Sequence, residues 1–156
     1  MRDYYEQSEI LIVIKEMVGD VCARLRKHKE KCQEMYLGIG YSNRELQPGF
    51  MARIKLIRPE HSTDLLSDLA RQEFCKRSHG EPVRSVNVTA GKISPAGHEQ
   101  LELFFDGDER QHALDSAVDQ LRDRFGKKVI FYAGSMAGGT YLERAGYVGG
   151  HKGESS

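Results

Sequence analysis

The period of the hydrophobic positions changes several times along the chain, and each change marks an element. Ile10, Ile14, Met17, Val21 and Leu25 recur at steps of four and three, which places them on one stripe of a helix. Ser8 is suited to cap that helix, and Glu9 falls in its first turn, where a carboxylate meets unpaired backbone N–H groups. From Glu34 to Ser42 the period drops to two. Met35, Leu37, Ile39 and Tyr41 share one face, and Tyr36, Gly38, Gly40 and Ser42 share the other. Past a polar turn at Asn43–Gly49, Phe50, Ala52, Ile54 and Leu56 oppose Met51, Arg53 and Lys55. Alternation of this kind belongs to half-buried strands, so the two runs predict an antiparallel hairpin that Pro59 closes.

Ser62, Thr63 and Asp64 open a second helix, with Leu66, Leu69, Ala70 and Phe74 inward, and Gly80 ends that stretch. Pro82 to Lys92 alternates again, Val86, Val88 and Ala90 against Ser85, Asn87 and Thr89. Ile93 to Glu99 reads as a loop. A third helix starts at Asp106 or Asp108, is striped by Leu114, Ala117, Val118, Leu121 and Phe125, and stops at Gly126. Val129–Tyr132 predicts a short strand, and the Gly-rich run from Gly134 onward predicts a flexible tail. The order of elements indicates an α+β fold, an antiparallel sheet with helices packed on one face. Its other face is open and displays Tyr36, Gly38, Gly40, Ser42, Met51, Arg53, Lys55, Ser85, Asn87 and Thr89. None of these is acidic. Small, hydroxyl and basic side chains suit a phosphate backbone, which needs close approach, donors and positive charge. An ordinary solvated face is the competing reading.

Composition narrows the class. The chain has 156 residues, 39% hydrophobic and 29% charged, with 4 Pro, as expected of one folded domain rather than a disordered or collagenous chain. The longest apolar run, Ile10–Ile14, is far short of the ~20 residues of a membrane-spanning helix, so no membrane partner is expected. The start, Met1 to Glu6, lacks the apolar core of a secretory signal. Three cysteines, Cys22, Cys32 and Cys75, have no C-x-x-C spacing, and a cytoplasmic setting is the simplest expectation. Lys+Arg and Asp+Glu both number 23, yet the charge is segregated. Arg24, Arg26, Lys27, Lys29 and Lys31 form a basic cluster, whereas residues 98–123 carry eight acids and two arginines.

Candidate chemistry is sparse. Asp106, Asp108 and Glu109 resemble a metal-binding carboxylate set, but two-metal chemistry needs a second set of acids, and helix capping explains these three. Gly134 to Thr140 follows the predicted fourth strand as a phosphate loop would, without the Lys before Ser/Thr. The six histidines, His28, His61, His79, His98, His112 and His151, have no spacing that singles them out. Neither a catalytic nor a metal-binding residue is assigned. Gln100-Leu101-Glu102-Leu103-Phe104 stands apart. It precedes the third helix, offers apolar anchors at Leu101, Leu103 and Phe104 and an amide at Gln100, and so has the pattern of a short peptide that docks in a pocket. A core strand is the competing reading.

Leu37-Gly38-Ile39-Gly40-Tyr41-Ser42, Gly49-Phe50, Pro82-Val83-Arg84-Ser85-Val86-Asn87-Val88, Gln100-Leu101-Glu102-Leu103-Phe104, Arg124-Phe125-Gly126-Lys127 and Gly149-Gly150-His151-Lys152 occur in this order. The ordered set resembles the C-terminal part of a bacterial Y-family translesion DNA polymerase of the UmuC/ImpB/MucB type, its little-finger domain and C-terminal extension. The resemblance runs over roughly residues 8–152. It divides the chain into a linker end (1–7), a little-finger domain (8–93), a loop with a clamp-binding peptide (94–107), a helix and short strand (108–133) and a mobile tail (134–156). It implies a non-catalytic module that grips primer–template DNA. Gly38, Gly40, Ser42, Arg53, Lys55, Ser85 and Thr89 would meet phosphates, with Arg84 beside them. It also implies docking of Gln100, Leu101, Leu103 and Phe104 to a bacterial sliding clamp, and roles in DNA repair and the SOS response near the nucleoid. On this reading the chain is a fragment. Its polymerase core lies N-terminal, and magnesium belongs to the absent palm. Met51-Ala52 replaces a Ser-Arg pair of many relatives and Thr89 an Arg of some, so this face is less basic. A stand-alone nucleotide- or metal-dependent enzyme is the alternative.

Overall fold

The computed structural model describes residues 3–43, 47–96, 106–136, 147–148 and 151–152. The elements are α1 (Gln7–Lys27), β1 (Glu30–Tyr41), β2 (Phe50–Glu60), α2 (Thr63–Arg77), β3 (Val83–Pro95), α3 (Asp106–Phe125), a 3-10 turn (Ala133–Met136), β4 (Tyr147–Val148) and β5 (His151–Lys152). β1 is central, with β2 and β3 antiparallel on either side. The two-stranded β4–β5 ladder lies within the segment expected to be a tail. The α+β class and the helices on one sheet face are as expected.

Alternation explains the layering. Met35, Leu37, Ile39 and Tyr41 of β1 and Ala52 and Ile54 of β2 are buried. They meet Ile10, Ile14, Val18, Val21 and Leu25 of α1 and Leu66, Ala70 and Phe74 of α2 in one core. Full burial of each Val, Leu, Ile, Met or Phe among them contributes roughly 1.5–3 kcal/mol. Ser62 caps α2, its hydroxyl accepting the Leu65 N–H at 3.4 Å. Gly126 ends α3 in the left-handed region at φ +89°, which costs glycine nothing.

Several boundaries differ from expectation. Glu6, not Ser8, precedes the first helical residue, with no side-chain cap bond. β2 does not stop at Pro59. The β1–β2 register runs Glu34↔Lys55 and then Cys32↔Glu60, so residues 56–59 bulge out of the ladder and Pro59 sits where no N–H is needed. β3 likewise continues through the predicted loop to Pro95, on a sheet edge. Val129–Tyr132 is not a strand.

α3 departs furthest. Its apolar stripe faces out, with Leu114, Leu121 and Phe125 at 56%, 42% and 59% exposure. Its polar face is docked instead. Arg26 of α1 donates from Nε to Asp119 Oδ2 at 2.5 Å, from Nη2 to Asp119 Oδ1 at 3.0 Å and from Nη1 to Asp115 Oδ2 at 3.2 Å. Nη1 also reaches the His61 carbonyl and the Thr63 hydroxyl. Asp115 in turn accepts the Thr63 N–H at 3.0 Å. The acids of the 98–123 stretch thus neutralise a cation of the basic cluster within the same molecule, and burial of charge demands such pairing.

Candidate nucleic-acid interface

The sheet face away from α1 and α2 is the candidate surface. Pleating sets its side chains: Tyr36 pairs in register with Arg53 and Thr89, Gly38 with Met51 and Asn87, Gly40 with Ser85. Arg53, Lys55, Asn87 and Thr89 are exposed, and Ser85 is half-buried. Arg84 lies at the neighbouring edge. The glycines make room for neighbouring side chains. A Cβ on Gly38 would stand 3.4 Å from the Met51 methyl, and one on Gly40 would stand 2.4 Å from Ser85 Oγ. Ser42 is half-buried, and its hydroxyl donates to the Pro82 carbonyl at 3.2 Å.

The expectation of an acid-free face is corrected. Glu34 shares the period of Tyr36 and Gly38 and lies on the same face, opposite Lys55 and Gly91. Its carboxylate accepts from Arg53 at 2.5 and 3.1 Å, from Tyr36 at 2.8 Å and from Lys92 at 3.0 Å. Hydrogen bonds from Arg53, then Lys92 and Tyr36, hold its carboxyl at about 2. Lys92 was not among the expected contacts. It has a left-handed backbone at φ 49°, uncommon outside glycine, and a strand pattern gives no sign of it. Arg84 is also paired, forking onto Asp3 at 2.8 and 3.1 Å beside the Tyr4–Val83 bridge. Arg53, Lys55, Lys92 and Arg84 therefore stand against Glu34 and Asp3, a modest positive excess with two donors of each guanidinium already engaged.

Gln100, Leu101, Leu103 and Phe104 lie outside the described residues, as does most of the run from Gly134 to Thr140. Gly134 itself borders a cavity of about 660 Å³ between α1, α2 and the 3-10 turn, on the helical side. Lys15 there pairs with Asp64 at 3.3 Å and stands 4.6 Å above the Tyr132 ring, whose hydroxyl burial pushes up to about 12. Arg71 pairs with Asp68 at 3.5 Å. With its cations matched by acids, this wall has no surplus charge for a phosphate. No helix among the described residues is long and apolar enough to cross a membrane.

Comparison with known proteins places this sheet in a lineage. Residues 1–103 match the impB/mucB/samB family C-terminal domain. UvrX of Bacillus subtilis, assigned by name to UV-damage repair, is 37% identical over 97% of this chain and 37% of its own length. DNA polymerase IV 2 of the same organism is 32% identical over 96% of this chain and 37% of its own length. DNA polymerase IV of Moorella thermoacetica is 33% identical over 90% and 34%. The chain spans little more than a third of these relatives. It belongs to the impB/mucB/samB family of Y-family DNA polymerases and corresponds to their C-terminal domain.

Proposed function

We propose that this chain is the DNA-gripping, non-catalytic part of a lesion-bypass polymerase, whose open sheet face tracks the primer–template backbone. The observation that carries the reading is the exposed row of Arg53, Lys55, Asn87 and Thr89 on a face made shallow by Gly38 and Gly40, in a domain whose relatives are DNA polymerases. Such a surface gives weak, sequence-independent and salt-sensitive binding, because phosphates supply the affinity. Docking to a bacterial sliding clamp through Gln100–Phe104 and DNA synthesis by the longer parent belong to the same proposal. The test is a salt titration of duplex affinity. About 3–4 contacts predict a slope of log affinity against log salt near −3, and Arg53→Ala with Lys55→Ala reduces it by about two. An unchanged slope rejects the face.

A further inference from the structure

Away from the sheet face, three metal-binding side chains converge from elements distant in sequence. Glu60 ends β2, His61 follows it, and His112 projects from α3. One ligand atom of each lies within 4.8 Å of the other two, and the two imidazoles meet edge to face with centroids 5.0 Å apart.

Each group is held in a defined orientation. His61 Nδ1 is 3.2 Å from the Glu30 carbonyl oxygen. A carbonyl only accepts, so Nδ1 carries the proton and Nε2 keeps its lone pair, the arrangement of a metal-ligating histidine with its outer-shell partner. Glu60 Oε1 accepts the N–H groups of His61 and Ser62 at 2.8 and 3.0 Å, which orients the carboxylate. His112 Nδ1 is buried with no hydrogen-bond partner among the described residues, an arrangement native folds rarely leave unexplained.

We infer that Glu60, His61 and His112 form a binding site for a divalent transition metal of the zinc type, with water as fourth ligand. Two imidazoles and one carboxylate are an established zinc set and disfavour magnesium or calcium, which prefer all-oxygen shells. Bonds of 2.0–2.2 Å place ligand atoms roughly 3.3 Å apart, so closure from the present spacing needs a shift of under about 1 Å per side chain. Arg58, 3.9 Å from Glu60 Oε2, competes with a metal for that oxygen. The metal would fasten α3 to the β2–α2 corner, beside the Arg26 junction.

The test titrates the chelator-treated full chain with zinc chloride and with cobalt chloride near neutral pH. Expected are one-to-one binding, the intense visible absorption of four-coordinate cobalt, and a melting temperature raised by roughly 5–10 °C at zinc ~100-fold above Kd. His112→Gln should lower affinity by more than the roughly 10–100-fold typical of losing an outer-shell partner. His79→Gln and Cys75→Ser should leave it unchanged. Absence of binding by the wild type, or wild-type affinity in His112→Gln, overturns the inference. Should His112→Gln fail to fold, the ring resonances of His61 and His112 in the wild type decide: no shift on zinc addition overturns it as well.

Discussion

Arg26 and Asp119 form a two-pronged ion pair across the α1–α3 junction, with both guanidinium–carboxylate bonds at or under 3.0 Å and both side chains largely buried. This contact, rather than an apolar seam, seats α3. Arg26→Met would leave two acids without their partner, and loss of one member of a buried pair costs about 3–5 kcal/mol. Urea denaturation should show that loss, with faster amide exchange concentrated in α3. Adding Asp119→Asn to Arg26→Met should restore about 1–3 kcal/mol. A variant as stable as the wild type shows that α3 is seated otherwise.

Acid stability should carry the mark of Glu34. Its carboxyl lies at about 2 in the fold, held first by Arg53 and then by Lys92 and Tyr36, against 4.5 ordinarily. A depressed folded value means that the unfolded chain takes up the proton first as pH falls. The contribution is complete above about pH 4.5 and is lost as pH drops through about 2. Melting temperature against pH should therefore fall less steeply below about pH 5 in Glu34→Gln. Equal slopes in the two proteins reject the linkage.

The same substitution should change DNA binding in the opposite sense from the loss of Arg53 and Lys55. Removing the acid frees the donors of Arg53 and Lys92 for phosphate. Glu34→Gln is expected to tighten duplex binding and steepen the salt slope by about one. Weaker binding by this variant contradicts the assignment of the face.

Gly49 is required by space. A Cβ there would lie 2.2 Å from the Ile39 carbonyl oxygen and 3.1 Å from Gly40 Cα, and backbone atoms have little freedom to withdraw. Gly49→Ala should cost about 1–3 kcal/mol. Gly38→Ala meets the flexible end of Met51 at 3.4 Å and should cost less than about 1 kcal/mol. Denaturation midpoints of the two variants check the ranking, and the reverse order refutes it.

Leu103→Ala with Phe104→Ala should abolish capture by a bacterial sliding clamp, since burial of each side chain in a partner pocket is worth roughly 1.5–3 kcal/mol. The melting temperature should hardly move. Early melting of the double variant would mean that these residues belong to the core.

The sheet and its first two helices were legible because their signals are local. Met35, Leu37 and Ile39 alternate, Ile10, Ile14 and Val21 repeat at helical spacing, and burial follows both patterns. Glu34 escaped that reading although it continues the alternation of Tyr36 by one step, because the face was begun at Tyr36. α3 was misread for a physical reason. Leu114, Leu121 and Phe125 look like a buried stripe to any periodicity argument, yet the energy that orients the helix comes from Arg26, far away in the chain. The approach of His61 to His112 is likewise a product of tertiary contact.

Tyr4 and Val83 exchange two backbone hydrogen bonds, at 2.8 and 2.9 Å, and Arg84 clasps Asp3 beside them. Tension applied at the N-terminus would therefore reach the rim of the sheet before it reached α1. Those few bonds would yield one after another at low force, while Ile10, Ile14 and Val18 stayed packed. The leading segment is thus a detachable latch on the sheet, one that can peel away while the packed helix behind it stays in place.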